Sequence, residues 1–214
     1  MANCFGEVID NCYLDTLAQY VGKTKTRVDR AREAADRENE DGKNNEASNY
    51  VHEVRKWYGE GQSTLCLVYN ATGSALRYVG EHDFDGSHVG RTPYPVEIGN
   101  GQWAAFQHVR MTGELLGGSI GAVIYRAKNK DGEERDVLLT WSTPVVGKNR
   151  AFSVLSTPDK FTVHATRNMW ETIEHGIRFS AGKKHEVRWG GLHVNVSTAS
   201  GNHPELKATI GLDI

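Results

Sequence analysis

The sequence lacks several features that define large classes of protein. Its 214 residues include 25 Lys and Arg against 27 Asp and Glu, so the basic excess of a protein that binds nucleic-acid phosphates is absent. No apolar stretch reaches the roughly 18 residues that a membrane-spanning helix needs. The first residues show neither the basic nor the apolar region of a secretory signal. We therefore expect a cytoplasmic protein, with the nucleus as an alternative location, and we expect neither nucleic acid as its main partner nor insertion into membranes.

Cysteine and proline are also scarce. The three cysteines, Cys4, Cys12 and Cys66, are an odd number, and without a secretory signal they argue against a disulfide framework. We expect free thiols, with Cys66 buried in an apolar strand, although Cys4 and Cys12 have the option of pairing if oxidised. Five prolines beside 23 glycines indicate many turns without a collagen-like or disordered composition.

The charged residues concentrate near the N-terminus, where residues 23–60 contain no Leu, Ile, Phe or Pro. Thr26 followed by Asp29 has the pattern of a capping box, which predicts a helix beginning there. A second helix is predicted over residues 45–58, whose apolar positions form one stripe. Because the first helix has little apolar surface of its own, we expect this helical hairpin to pack on the following domain. The expected contacts are Tyr50, Trp57 and Tyr58.

After residue 60 the pattern changes to short strands separated by glycine turns. Residues 64–69 are a continuous apolar run of strand length, and residues 94–98 are predicted as a further strand. Asn100-Gly101 and the segment 129–132 are hairpin signals. One helix is predicted over residues 167–175, ended by Gly176.

These patterns predict two domains and a mainly β fold. Residues 1–60 form an N-terminal segment with the charged helical hairpin, and residues 61–214 form a β-sandwich domain. The predicted architecture is an antiparallel β-sandwich that carries the N-terminal hairpin and one helix packed on the sandwich.

Three segments resemble a plant family. They are Ser63-Thr-Leu-Cys-Leu-Val-Tyr-Asn-Ala-Thr-Gly73, Pro93-Tyr-Pro-Val-Glu-Ile-Gly-Asn-Gly-Gln-Trp103 and Gly121-Ala-Val-Ile-Tyr-Arg126. Together they are similar to the cereal jasmonate-induced proteins named for a mass of 23 kDa. The resemblance implies a role in plant stress and defence.

A second resemblance concerns the fold. The Asn70-Ala-Thr-Gly73 turn, the segment 118–125 and Trp141-Ser-Thr-Pro144 are similar in order and spacing to the β-sandwich of actinoporins and fungal fruit-body lectins. The resemblance implies a headgroup pocket at Ser142 and Pro144. The aromatic cage that completes this pocket in actinoporins is replaced by residues 145–150, and Trp170 is the one large aromatic side chain left in the helix region.

A further group of polar residues suggests an alternative site. His82, Asp83, Asp85 and His88 are expected to share one loop beside Gly86, where oxygen and imidazole groups suit either a divalent metal or a sugar. The spacing matches no known metal motif, so we predict no metal and favour a solvated loop.

No nucleophile motif and no phosphate-binding loop is present, since the glycine-rich segment 117–121 leads into a strand and not into a helix. We therefore predict that the protein is not an enzyme and needs no cofactor. The basic residues Lys183, Lys184, His185 and Arg188, with Arg178 nearby, lie close to Trp189. They are interpreted as a solvated hairpin tip or, alternatively, as a contact for an anion or a lipid headgroup.

The sequence thus predicts a non-enzymatic, lectin-like binding protein of stress or defence that recognises a glycan or a lipid headgroup. One alternative is an actinoporin-like, membrane-active pore former. Another is an interaction or assembly module that acts through the N-terminal helices, for example by forming homo-oligomers. The predicted ligand-binding residues are Ser142, Pro144 and Trp170, with His82, Asp85 and His88 as the second candidate group.

Overall fold

Two β-sheets form the body of the computed structural model, which describes residues 3–59, 61–88, 92–111, 113 and 117–214. The larger sheet has seven strands: β1 (Cys4–Phe5), β2 (Ser63–Ala71), β4 (Ser87–His88), β6 (Trp103–Val109), β10 (Lys184–Trp189), β11 (Leu192–Thr198) and β12 (Glu205–Leu212). The smaller sheet has five strands: β3 (Leu76–Asp85), β5 (Glu97–Ile98), β7 (Ser119–Lys128), β8 (Glu134–Thr143) and β9 (Arg150–Ser156). The strand order is β1-β6-β2-β12-β11-β10 in the larger sheet, where β4 also pairs with β6, and β5-β3-β7-β8-β9 in the smaller.

The predicted mainly β sandwich is confirmed, with one correction to its strand directions. The pair formed by β2 and β12 is parallel, with Leu65 opposite Glu205 and Ala71 opposite Gly211, whereas the other described pairs are antiparallel. Antiparallel neighbours can be joined by a short turn, but parallel neighbours need a long connection. Here the connection runs through the whole smaller sheet, so no local pattern in the sequence could reveal it.

Strand β2 is apolar without interruption because it is covered on both faces. Cys66 and Val68 point into the core between the sheets, whereas Leu65, Leu67 and Tyr69 point to the opposite face. Residues alternate between the two faces of a strand, so burial of both faces produces a continuous apolar run. The prediction of a buried Cys66 is confirmed, and all three cysteines are free thiols.

Three N-terminal helices cover this outer face of the larger sheet: α1 (Asn11–Asp15), α2 (Arg27–Asp36) and α3 (Lys43–Tyr58). The capping box at Thr26 is confirmed, since its hydroxyl accepts from the Asp29 amide and the Asp29 carboxylate accepts from the Thr26 amide. The apolar faces of α2 and α3 place Ala34, Ala47 and Val51 on the sheet.

Two contacts expected of these helices are also present. Tyr50 packs at the edge of the same cluster, and the Tyr58 hydroxyl donates to the Arg110 carbonyl at 2.7 Å. Trp57 was expected to face the sandwich as well, but its surface is 78% exposed. Within the described parts of the chain, no helix combines the length and the hydropathy needed to cross a bilayer.

The Asn100-Gly101 turn joins the two sheets, so the predicted hairpin at this position is wrong. It connects β5 of the smaller sheet to β6 of the larger, and the predicted strand over residues 94–98 is reduced to the two residues of β5. The Asn100 side chain accepts from the Gly73 amide at 2.8 Å and donates to the carbonyls of Ile9 at 2.8 Å and Arg30 at 3.0 Å. One buried amide therefore fastens the N-terminal helices to the sandwich. By contrast, the predicted hairpin over residues 129–132 does join β7 to β8.

The outer face of the smaller sheet is covered by α4 (Arg167–His175), which begins at Thr166 as its N-cap. The α-helix ends at His175 with Gly176 as its C-cap, as predicted, and the chain then continues as one π-helical turn over Gly176–Ser180. Ile173 and Ile177 are buried, and Ile173 packs with Ala122, Ile124 and Leu138 of the sheet. This packing confirms that one helix lies on the sandwich.

Replacing Asn100 by Ala removes all three of its hydrogen bonds and leaves buried backbone groups without their partners. We expect Asn100→Ala to lower the free energy of unfolding by about 2–4 kcal/mol, measured by urea denaturation. The exposed Asn202 is the control, and Asn202→Ala should change the stability little. Equal effects of the two substitutions would contradict the fastening role of Asn100.

Candidate functional site

The second candidate group lies on strands and not in the predicted loop. His82, Asp83 and Asp85 belong to β3, and His88 belongs to β4, where it pairs with His108 of β6. The sequence pattern was misleading because β3 is rich in polar residues and its pairing with β7 is interrupted by two register shifts. The side chain of His88 lies outside the described part of the chain. Among the described residues, no group of three or more His, Cys, Asp and Glu is placed to hold a metal ion.

His82 and Trp170, each predicted as a ligand contact, meet each other. Their rings are stacked at 4.1 Å with an interplanar angle of 4°, and Phe84 contacts Trp170 edge-on at 5.9 Å. The Trp170 indole therefore packs α4 on β3, and the His82 ring covers one face of the indole. Burial lowers the pKa of His82, while the carboxylates of Asp83 and Glu174 act in the opposite direction.

Ser142 and Pro144 lie where β8 leaves the smaller sheet. Thr140 is opposite Ala122, which is opposite His82, so Ser142, two residues along, shares the outer face of the sheet with His82. Ser142 is only 2% exposed, whereas Pro144 is half-buried at the start of the next loop. The structure thus brings Ser142, His82 and Trp170 to one face, but it covers most of their surface.

Asp85 has a different role at the neighbouring turn. Its carboxylate accepts from the Gly118 amide at 2.7 Å, which ties the β3–β4 turn to the segment that precedes β7. Gly118 lies so close to the end of β8 that an added Cβ would be 2.8 Å from the Thr143 carbonyl. The prediction that the glycine-rich segment leads into a strand is confirmed, since β7 begins at Ser119.

Several turns meet at this same end of the sandwich, which we call the loop end. The pairings Ser63 with Val109, Ser119 with Thr143 and Ser142 with Arg150 place the corresponding strand ends together. Hydrogen bonds connect later segments to this end. The Asn149 side-chain amide donates to the Ala199 carbonyl, and the Ala151 backbone amide donates to the Gly182 carbonyl. The described segments of the loop end are 85–87, 110–111, 113, 117–118, 144–149, 178–183 and 199–203.

A buried hydrogen-bonded chain joins the two sheets just inside the loop end. Thr64 Oγ1 lies 2.7 Å from Ser119 Oγ and 2.9 Å from Thr143 Oγ1. Ser119 Oγ is 2.9 Å from His108 Nδ1, and His108 Nε2 is 3.1 Å from Asp83 Oδ1. We call these five residues the polar clasp. Sequence reasoning missed it, although a polar side chain at the end of each of several apolar strands was a visible signal.

Three members of the polar clasp have the composition of a Ser-His-Asp catalytic triad, but not its accessibility. Ser119 and His108 are 0% exposed. The Ser119 hydroxyl also lies 3.0 Å from the His108 carbonyl, and a Cβ on Gly121 would lie 2.9 Å from His108 Nε2. The packing leaves a substrate carbonyl no room beside Ser119, so the arrangement suits a structural connection between the sheets.

The surface of the loop end combines apolar side chains with cations. Val146 is 81% exposed, Phe179 is 66% exposed and Met111 is 51% exposed; we call these three residues the apolar tip. Lys148 and Lys183 are exposed in the same loop segments as Val146 and Phe179. Apolar side chains flanked by ammonium groups can enter an interface between water and lipid while the cations contact phosphate.

Replacing Thr64 by Val keeps the shape of the side chain but removes the hydroxyl at the centre of the polar clasp. We expect Thr64→Val to cost about 1–3 kcal/mol of unfolding free energy, because the hydroxyls of Ser119 and Thr143 lose a partner in the protein interior. Thermal or urea denaturation measures the change. Thr64→Ser retains the hydroxyl and should be the milder variant, and the reverse order would contradict this role of the clasp.

The lowered pKa of His82 predicts a dependence of stability on pH. An unfolded histidine titrates near about pH 6.5, so protons bind the unfolded chain more readily than folded His82. The contribution of neutral His82 to the free energy of unfolding is complete above the pKa of an unfolded histidine. It is lost as the pH falls from that pKa to the lowered pKa of folded His82. In denaturation series from about pH 7.5 to about pH 5, His82→Phe should lose less stability than the parent protein.

The exposed Val163, which carries no titratable group, provides the control for this pH series, and Val163→Ala should retain the parent slope. His185 and His203, whose pKa values are also lowered by burial, should leave part of the slope in His82→Phe. An unchanged slope in His82→Phe would contradict the prediction.

Comparison with known proteins bears out the expected relationships. The chain is 40% identical over 116 residues to the 23 kDa jasmonate-induced protein of Hordeum vulgare, a stretch that covers 54% of each protein. It is 31% identical over 116 residues to the jasmonate-induced protein homolog of Atriplex canescens, covering 52% of this chain and 58% of that protein. The chain thus spans about half the length of the curated relatives that it matches.

One solved structure and a family model extend the match over nearly the whole chain. The crystal structure of the lipid binding protein Nakanori superposes with a TM-score of 0.86 at 24% identity, covering 97% of this chain and 99% of that one. A Xerocomus chrysenteron lectin superposes with a TM-score of 0.46 at 16% identity, covering 70% of this chain and 99% of the lectin. The family model described as Nakanori-like protein matches residues 5–212. The chain belongs to the Nakanori-like protein family.

Proposed function

We propose that the protein is a non-enzymatic binding protein whose loop end recognises a phosphate-bearing lipid headgroup at a membrane surface. The observation that carries the proposal is the apolar tip, three exposed apolar side chains at the end of the sandwich that also carries the exposed Lys148 and Lys183. Membership of the Nakanori-like family supports it, as does the similar fold of a protein described as lipid binding.

The apolar tip provides a contact of useful strength without a closed pocket. A large aliphatic or aromatic side chain that leaves water for the acyl boundary contributes about 1.5–3 kcal/mol when fully buried. A lysine near an anionic surface adds about 1 kcal/mol. Val146, Phe179 and Lys148 together thus suffice for reversible surface binding, while the headgroup phosphates fix the orientation.

The position of the N-terminal helices weighs against the alternative of a pore former. Ala34, Ala47 and Val51 are 0% exposed against the larger sheet, and Asn100 fastens the connection between helices and sandwich. A helix that entered the bilayer would have to expose this surface first. For the alternative of an assembly module, α3 offers one exposed aromatic side chain, Trp57. This alternative stays a prediction, and so does the cytoplasmic location.

The absence of catalysis is part of the proposal. Asp83, His108 and Ser119 are used to connect the two sheets, and Ser119 is inaccessible to a substrate. The assignment of Ser142 and Trp170 as ligand contacts stays a prediction. Ser142 is 2% exposed and the Trp170 ring is stacked on His82, so the proposal places the contact on the apolar tip.

Introducing a carboxylate into the apolar tip should weaken binding to vesicles. Val146→Asp removes an apolar contact and places a negative charge beside headgroup phosphates, so we expect about tenfold weaker binding or more. Co-sedimentation with phosphatidylcholine vesicles, with and without phosphatidylserine, measures it. The control is Val163→Asp, the same change at a site that is 75% exposed and follows the opposite end of β9.

Equal binding by the two variants would contradict the loop end as the binding surface. Release of a dye trapped in the vesicles would favour the pore-forming alternative. A glycan array that gives hits, with no vesicle binding, would favour the lectin-like alternative.

A further inference from the structure

A groove lies where an edge strand of the smaller sheet meets an edge strand of the larger sheet. Strand β9 ends the smaller sheet and β10 ends the larger, and they touch near the loop end, where Ser153 Oγ is 3.1 Å from His185 Nδ1. Farther along, the two described strands share no backbone ladder, and a groove of about 590 Å³ opens between them. Of the basic residues predicted as a hairpin tip, Lys184, His185 and Arg188 are in fact on β10. Lys183 precedes the strand, Arg178 lies in the π-helical turn, and the hairpin turn follows at Gly190-Gly191.

The lining of this edge groove has the chemistry of a binding site for a polar ring. Trp189 is 45% exposed, and the Arg135 guanidinium lies 5.5 Å from its ring centre. Phe152 packs against His185 at 4.4 Å between ring centres. An indole with free surface offers a flat apolar contact for a sugar face. The remaining polar lining residues are Ser153, Ser156, Thr157, Lys160 and Arg188.

Charge defines the class of ligand more narrowly. The described residues that line the edge groove include Lys160, Arg188 and His185 but no carboxylate. Arg188 shares its charge with Glu186 at 3.1 Å and Asp213 at 2.6 Å. The Lys160 ammonium group is exposed and pairs with no described carboxylate, so it is the principal cation that the groove offers to an anion.

The backbone of β9 adds hydrogen-bonding groups. The Ala151 amide points away from β8, since it donates to the Gly182 carbonyl at 2.9 Å. Alternate residues of a strand direct their amides to the same side, so the Leu155 amide also faces β10, at the level of the groove. Edge-strand groups of this kind are available to a ligand with hydroxyl groups.

We propose that the edge groove binds an anionic sugar, a sugar or cyclitol ring that carries a phosphate or a carboxylate. The ring packs on Trp189, its hydroxyls bond to the exposed Thr157 and the edge of β9, and its anionic group pairs with Lys160. The groove opens beyond Ser153 and His185, on the side away from the loop end, so this site is separate from the apolar tip. Such a ligand has two sources, a soluble acidic saccharide or the headgroup of an inositol phospholipid.

Nuclear magnetic resonance titration of the full chain tests the site. Glucose 6-phosphate and glucuronate are the anionic probes, and glucose is the neutral control. We expect both anions to shift the indole signal of Trp189 and the amide signals of β9 and β10, with glucose at least about tenfold weaker because it lacks the charge-assisted bond to Lys160. Equal shifts with glucose, or no shifts with either anion at millimolar concentration, would overturn the proposal.

Two variants assign the contacts. Lys160→Ala and Trp189→Ala should each weaken the response about tenfold, whereas Lys56→Ala, an exposed lysine on α3, should leave it unchanged. Because Lys160 is exposed, its replacement does not endanger folding. An undiminished response in Lys160→Ala would refute the assignment.

Vesicles distinguish the two sources and separate this site from the proposed function. If the ligand is a lipid headgroup, phosphatidylinositol phosphate in phosphatidylcholine vesicles should increase binding. Lys160→Ala should remove that increase although the apolar tip, with Val146, is unchanged. If the ligand is a soluble saccharide, Lys160→Ala should weaken the probe response about tenfold and leave vesicle binding intact. Either result supports the groove, and neither depends on the apolar tip.

Discussion

The polar clasp is the interaction on which the arrangement of the loop end depends. Thr64 of the larger sheet meets Ser119 and Thr143 of the smaller, so hydroxyl groups join the two layers where apolar packing ends. A buried polar group without a partner is costly, and the clasp therefore has far fewer acceptable arrangements than an apolar contact of the same size. It holds the ends of β2, β7 and β8 in a single relative position, and the loops that follow them inherit that position. Exposed apolar side chains such as Val146 can be displayed at this end because the base beneath them is rigid.

Local patterns in the sequence were sufficient for the elements that local physics determines. The Thr26 capping box, the helical stripe of α3 and the Asn129 hairpin depend on residues within a few positions of one another, and all three are present. Asn100-Gly101 failed as a hairpin signal because its side chain bonds to Ile9 and Arg30, far away in the chain. The parallel pairing of β2 with β12 is likewise a property of the whole topology. The division of the chain at residue 60 stays a prediction, although Ala47 and Val51 share a buried cluster with β2.

The candidate site illustrates why residue type alone does not distinguish ligand contacts from packing. Trp170 and His82 have the chemistry of ligand contacts, yet their rings stack on each other where α4 packs on β3. Asp85, equally plausible as a ligand contact, holds the Gly118 amide. Val146 and Phe179 carried no recognisable motif, because what distinguishes them is that the described part of the chain leaves most of their surface exposed. Exposure depends on the assembled fold, so the proposed binding surface could not be predicted from the sequence alone.

The distribution of charge determines which forces would hold such a surface on a membrane. The net charge of −2 gives the molecule no long-range attraction to an anionic membrane, and ions in solution screen charges beyond about 8 Å at physiological ionic strength. Binding must then rest on short-range contacts, which the apolar tip offers together with Lys148 and Lys183 at the same end. The same reasoning applies to the edge groove, where one exposed ammonium group acts beside Trp189 in a recess. Two local groupings of cation and apolar surface can thus coexist with a small negative net charge. In both proposals the ligand would be selected by fit at contact distance more than by long-range electrostatic attraction.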